Sequence, residues 1–160
     1  MNIRTASAGL GVAIALAVPL IERVEGTEYK PYKDVAGVLT VCSGVTGQDV
    51  IPGKTYSKPE CRALLAKHVK IHSDYVDKAV TWPISNDTRA ALISFSYNVG
   101  GNGMKNSTAI RLINQGKLEQ GCNALAAWNK ITVKGKKVVS KGLVNRRNEE
   151  IKQCLKGIEK

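Results

Sequence analysis

Residues 5–21, between Arg4 and Glu22, run for seventeen positions without a charge, and a stretch of that kind has to hide from water. Five Ala and two Gly keep it only weakly hydrophobic. As a helix it would span about 26 Å, slightly short of a bilayer's hydrocarbon core of about 30 Å. One preceding cation, an apolar run and the small-residue steps Ala13-Ile14-Ala15 and Ala15-Leu16-Ala17 resemble an export signal. Retained in the chain, so weak a segment could enter a bilayer and leave it again. Packed on protein instead, it would be an Ala-rich core helix. Val18-Pro19 is expected to break this helix, because the residue before proline disfavours the α region. Pro19 then suits the first turn of a second helix over about 19–26.

The remaining texture points to an α+β fold that is mostly helical. Residues 34–47 carry short β-branched runs punctuated by Gly37, Gly44 and Gly47, the pattern of a small antiparallel sheet with tight turns. Ser57-Lys58-Pro59-Glu60 is a helix start, with a Ser cap, an early proline and Glu at the capping-box position. The helix it opens is expected to run over about 59–81, to Trp82-Pro83. It is long enough to bridge two lobes, about 22–60 and 83–160. Ser85 and Thr88 open a helix that is apolar most of the way round and ends at Gly100-Gly101, so it should be the buried centre of the second lobe. Shorter helices are expected near 107–115, 118–128 and 142–156, with Gly135 marking a hairpin or loop in the basic stretch before the last.

At 160 residues the chain can bury a full core without a metal. Twenty-four Lys and Arg against thirteen Asp and Glu give a net charge of +11, which draws a protein toward polyanions: nucleic acid, anionic lipid or an anionic cell wall. Aromatic content of 5% is too sparse for a base-stacking platform, which argues against nucleic acid. Cys42, Cys61, Cys122 and Cys154 stand far apart with no C-x-x-C pair, which removes support for zinc-ribbon and thioredoxin-type readings. They fit two disulfides or four buried thiols, and the export-like N-terminus favours the oxidised form.

No G-x-S-x-G, H-E-x-x-H, P-loop or G-x-G-x-x-G occurs. His68 and His72 share a helix face at i, i+4 but lack the Glu of a metalloprotease motif, so no metal or other cofactor is expected. The remaining chemistry lies in two carboxylates nine residues apart. Glu25 ends the first helical region and Asp34 begins the sheet, with a two-tyrosine loop expected between them. Cleaving a glycosidic bond needs one protonated carboxyl to give a proton to the leaving oxygen. It also needs one ionised carboxylate to activate water or stabilise an oxocarbenium-like transition state. Thr40 could hydrogen-bond that water. Spacing alone does not separate such a pair from solvated surface acids.

The arrangement Glu25-Gly26, Tyr32, Asp34, Gly37, Thr40 and Gly44 resembles the catalytic segment of the phage-type lysozymes, glycoside hydrolase family 24. The resemblance continues through A-L-I-S-F-S-Y-N-V-G at 91–100, N-S-T at 106–108, N-Q-G at 114–116, Trp128, and G-L-V-x-R-R-x-x-E at 142–150. The Ala/Gly-rich N-terminus is similar to that of the signal-arrest-release endolysins of lambdoid phages. The resemblance implies a lysozyme-like two-lobed fold and a muramidase acting on peptidoglycan by inversion. Glu25 would be the general acid, with Asp34 and Thr40 activating water. Tyr32, Tyr97, Asn98 and Ser107 would face the substrate. It further implies a domain over 22–160 behind an apolar segment at 1–21. The protein would be an exported monomer held transiently at the inner membrane through residues 5–21, then released to the periplasm of a Gram-negative host. There residues 5–17 would pack on the catalytic domain, burying Leu10, Ile14 and Leu16. Disulfides are expected as Cys42–Cys61 and Cys122–Cys154, each inside one lobe. One departure is Val45, where the family often has His. The competing expectation is a catalytically silent basic protein that binds cell wall, membrane or nucleic acid, for which the charge alone would suffice.

Overall fold

The computed structural model describes residues 3–158, with side chains from residue 11 onward. Its elements in chain order are α1 (Ile3–Glu25), β1 (Glu28–Lys33), β2 (Leu39–Cys42), β3 (Val45–Thr46), α2 (Lys58–Ala79) and α3 (Asn86–Val99). There follow α4 (Gly101–Lys105), α5 (Thr108–Ile113), α6 (Leu118–Ala124), a 3₁₀ turn (Leu125–Ala127), β4 (Lys130–Val133), β5 (Lys136–Val139) and α7 (Lys141–Lys156).

The first correction concerns α1, which is one unbroken helix with Pro19 inside it. Proline costs a helix one hydrogen bond and some crowding. Here packing offsets that cost, because Ala13 and Ala17 on one side of Pro19 and Leu20 and Ile21 on the other are all buried. Breaking the rod would expose one set or the other. Ile14 and Leu16 pack partly buried against the same core, while the side chain of Leu10 lies outside the described residues.

The central core joins α1 to the helical lobe. α3 packs against α1, α2 and α7, and its residues from Ala90 to Ser96 are all buried, as its all-round apolarity requires. Ile21, Leu65, Val69, Phe95, Met104, Ile113 and Leu125 lie in one cluster around it. Burying a side chain such as Phe95 contributes about 1.5–3 kcal/mol. α2 starts on a full capping box: Ser57 Oγ accepts from the Glu60 amide and Glu60 returns a bond to the Ser57 amide. Its other end is held by Asn114, whose amide donates to Ala79 O at 2.9 Å and accepts from the Thr81 amide at 2.8 Å.

The small lobe is a three-stranded antiparallel sheet in the order β1-β2-β3. Residues 28–33, expected as a loop, form its edge strand. Pro31 lacks an amide proton, so it suits an edge, and the pairing with β2 shifts register between Glu28 and Tyr32. A second core of Val41, Val45, Val50 and Tyr56 surrounds the Cys42–Cys61 disulfide. Val45 is fully buried there. A second disulfide, Cys122–Cys154, ties α6 to α7. The lysine-rich segment forms the β4–β5 hairpin with Gly135 in its turn. The short α4 had no clear signal, since two of its five residues are glycine.

Candidate active site

Glu25 is the last residue of α1, and Gly26 ends the helix at φ +71°. The carboxylate is a quarter exposed and sits where the two lobes meet. From the small lobe, the β2–β3 turn comes close. A Cβ placed on Gly44 would lie 3.2 Å from Glu25 Oε2, and Gly44 also has φ +77°, so this position requires glycine twice over. From the helical lobe, Tyr97 on α3 donates its phenolic hydrogen to the Ser43 carbonyl at 2.8 Å. Tyr97 thus joins α3 to the turn that touches Glu25. Burial, then the Glu25 carboxylate, push the Tyr97 phenol well above its usual range, with Arg146 opposing in part.

Arg146 on α7 is the direct partner of Glu25. Its Nη1 donates to Glu25 Oε1, its Nη2 donates to Ser94 O at 3.0 Å, and its Nε lies 3.8 Å from Glu150 Oε2. Arg147 stands beside it, donating to Trp128 O at 2.8 Å, to Glu150 Oε1 and to Asn98 Oδ1. Glu150 is fully buried and Arg147 nearly so. Burial pushes the Glu150 carboxyl up and the Arg147 guanidinium down, each opposed by the other's charge. A buried cationic frame therefore stands behind Glu25.

Asp34 opens the β1–β2 turn. Its Oδ1 accepts from the amides of Ala36 at 2.8 Å and Val38 at 2.9 Å, which fixes the side chain. Thr40, buried on β2, pairs with Tyr32 across the ladder and donates its hydroxyl hydrogen to Val38 O at 2.9 Å. With that hydrogen committed, Thr40 Oγ1 can serve a water only as an acceptor. Partial burial raises the Tyr32 phenol, and so do, in order, the carboxylates of Glu25, Glu28 and Asp34. Tyr32 therefore stands within the fields of both Glu25 and Asp34.

Tyr32 lies within electrostatic reach of Glu25 and Asp34, Tyr97 within reach of Glu25 and Tyr32, and Thr40 pairs with Tyr32 on the neighbouring strand. Asn98 is exposed, with its Oδ1 engaged by Arg147. Ser107 has a different job from the one expected: it is buried as the N-cap of α5, accepting from the Ile110 amide and donating to Met104 O at 2.7 Å. Both of its hydrogen-bonding directions serve the helix start. The two histidines also find separate partners, His68 with Asp49 at 3.1 Å and His72 with Ser96 Oγ at 2.8 Å. Sequence reasoning assigned no site role to Arg146 and read Gly44 only as a turn residue of the matching segment. The signal for the first was the R-R-x-x-E run on a helix, where charges recur at i+3 and i+4 on what must be an inward face.

The chain is similar to known proteins along most of its length. The phage lysozyme family model matches residues 22–150. A SAR-endolysin of Bacteriophage PS119 is 46% identical over 153 residues, covering 92% of this chain and 89% of that protein. One from Pseudomonas phage phiKMV is 45% identical over 145 residues, covering 91% and 89%. Among solved structures, an endolysin from the Escherichia coli O157:H7 phage FAHEc1 superposes with a TM-score of 0.83. It is 35% identical, covering 88% of this chain and 90% of that one.

Proposed function

The chain belongs to the phage lysozyme family, and on that premise we propose how its cleft divides the work of hydrolysis. It is an endolysin, a muramidase that cleaves the β-1,4 bond between N-acetylmuramic acid and N-acetylglucosamine in peptidoglycan. Glu25 gives the proton to the leaving glycosidic oxygen. Asp34 Oδ1 is spent on two amides, which leaves Oδ2 to take a proton from the attacking water. Thr40, able only to accept, takes a hydrogen bond from the water's second hydrogen, which stays on the oxygen as it becomes the new hydroxyl, so the oxygen lone pair turns to the anomeric carbon. That division gives inversion. Arg146 keeps the Glu25 side chain aimed into the cleft. Tyr32 and Tyr97 contact the sugars on either side of the scissile bond.

The observation that supports this most is the position of Glu25, bonded to a guanidinium from α7, beside a turn of the small lobe and close enough to a phenol from α3 to shift its titration. The test is turbidity clearing of permeabilised Gram-negative cells, with proton NMR of the first product formed. Glu25→Gln should fold and fail to clear. The new reducing end should appear first as the α-anomer. Clearing by Glu25→Gln at the unmodified rate removes the acid, and a β-anomer first removes inversion.

The localisation belongs to the same reading. Residues 5–21 would hold the chain at the inner membrane of a Gram-negative host until release to the periplasm, where it acts as a monomer. The name SAR-endolysin carried by the relatives supports this, as does the uncharged, weakly hydrophobic segment. Among the described residues, no helix is long and apolar enough to cross a membrane. Cell fractionation before and after depolarisation tests the switch: tethered protein should become soluble, uncleaved and active.

A further inference from the structure

Three charged side chains on α7 lie inside the protein: Arg146, Arg147 and Glu150 are exposed by only 5%, 1% and 0%. Apolar side chains of similar volume usually fill such a space at least as stably, so packing alone does not account for them. Arg146 and Arg147 are neighbours in sequence, and both face Glu150. Arg146 also donates to Glu25, and Arg147 stands within the field of that same carboxylate. Two cations therefore meet two carboxylates. Around them, α3 brings the Tyr97 phenol toward Glu25 and the uncharged Ser94 hydroxyl beside Glu150, while β1 brings the Tyr32 phenol toward Glu25. Glu149, next along α7, is turned away to Arg23.

A general acid has to hold a proton before it can give one. Once Glu25 is protonated, Glu150 is the carboxylate left to balance Arg146 and Arg147. We infer that Glu150 is a positioning residue of the reaction, supplying the counter-charge that lets Glu25 carry a proton beside two guanidiniums. The inference rests on the muramidase reading. Toward Arg146, Glu150 acts by charge alone. Arg146 Nε and Glu150 Oε2 stand 3.8 Å apart, beyond hydrogen-bond reach, and neither atom has another partner among the described residues. Glu150 Oε1 accepts from Arg147, which a glutamine oxygen can do as well. Glu150→Gln thus removes the charge and keeps the shape and the bond.

The experiment follows kcat and KM on murein fragments across pH, with folding checked by circular dichroism. In a bell-shaped profile the alkaline limb marks loss of the acid's proton, and the acidic limb protonation of the base. Glu150→Gln should move the alkaline limb of kcat toward acid by roughly one pH unit, so that activity above that limb falls about tenfold and returns on acidification. KM should hold, and so should the acidic limb, which in this reading belongs to Asp34. Arg147→Gln takes away a cation instead and should move the alkaline limb the opposite way, a result that decides the matter even if Glu150→Gln does not fold. Arg147→Gln/Glu150→Gln restores the balance of charge and should return the limb to its place in the unmodified chain. An alkaline limb that stays put in folded Glu150→Gln, or one that fails to move toward alkali in Arg147→Gln, would overturn the inference. So would a loss of kcat that is equal at every pH, since that is the mark of a structural role. If the unmodified chain releases no reducing ends from murein at any pH, the muramidase reading fails and takes this inference with it.

Discussion

Replacing Tyr97 by Phe removes a single oxygen and tests how the two lobes are joined. The ring, with its edge-on contact to His72, would stay. The bond to Ser43 O would go. Ser43 is buried, so its carbonyl is left without a partner, at a cost of about 1–3 kcal/mol. For a chain of this size, each kcal/mol lowers the melting midpoint by about 2–4 °C, so a fall of about 2–12 °C is expected by circular dichroism. The pH dependence adds a signature. The phenol's folded-state pKa is raised above its unfolded value near 10, so the folded chain holds this proton more tightly. The resulting stability is complete below about pH 10 and drains away as pH climbs through the folded value. Tyr97→Phe has nothing to lose there, so the gap between the two proteins should close in alkali. A midpoint shift below about 1 °C, or a gap that stays constant above pH 10, would refute the account of this bond.

Gly44→Ala puts a methyl group against Glu25 at a positive φ; it should cost about 1–2 kcal/mol in stability and up to about a hundredfold in clearing rate through displacement of the carboxylate. Arg146→Met should destabilise by about 3 kcal/mol or more, since it strands buried partners, and Arg146→Lys should not rescue activity because an ammonium cannot span Glu25 and Ser94 O together; chemical denaturation and the clearing assay read both. Removing the second disulfide as Cys122→Ser/Cys154→Ser, a loop of 32 residues, should cost about 3–4 kcal/mol, with activity at room temperature retained; a loss under about 1 kcal/mol would show that the reduced chain is already constrained there.

Local chemistry made much of this fold readable in advance. The capping box at Ser57 and Glu60 set the start of α2 to within a residue, and Gly135 marked the hairpin. Glu25, Asp34 and Thr40 were visible because their motif spans sixteen consecutive positions. What escaped notice depends on contacts between distant residues. Pro19 keeps its helix because Ala13, Ala17, Leu20 and Ile21 are buried together, which outweighs the local rule. Arg146 reaches Glu25 across a separation of 121 residues, and no window along the chain displays that pair. Ser107 was assigned to substrate on family position, whereas the capping preference of serine, applied just as locally, describes where its hydroxyl goes.

The unbroken course of α1 has a practical corollary for anyone handling this protein. In an ordinary exported enzyme the leader is disposable, and a cut behind it leaves the mature body unharmed. Here the same rod begins with the uncharged segment and finishes at Glu25, and Ala13 and Ala17 lie in the main core. A protease or a cloning boundary placed after Ala17 would trim away part of the enzyme's interior and leave Glu25 on a stub of two turns. Leader and catalytic body are one piece of protein, and neither can be exchanged without rebuilding the other.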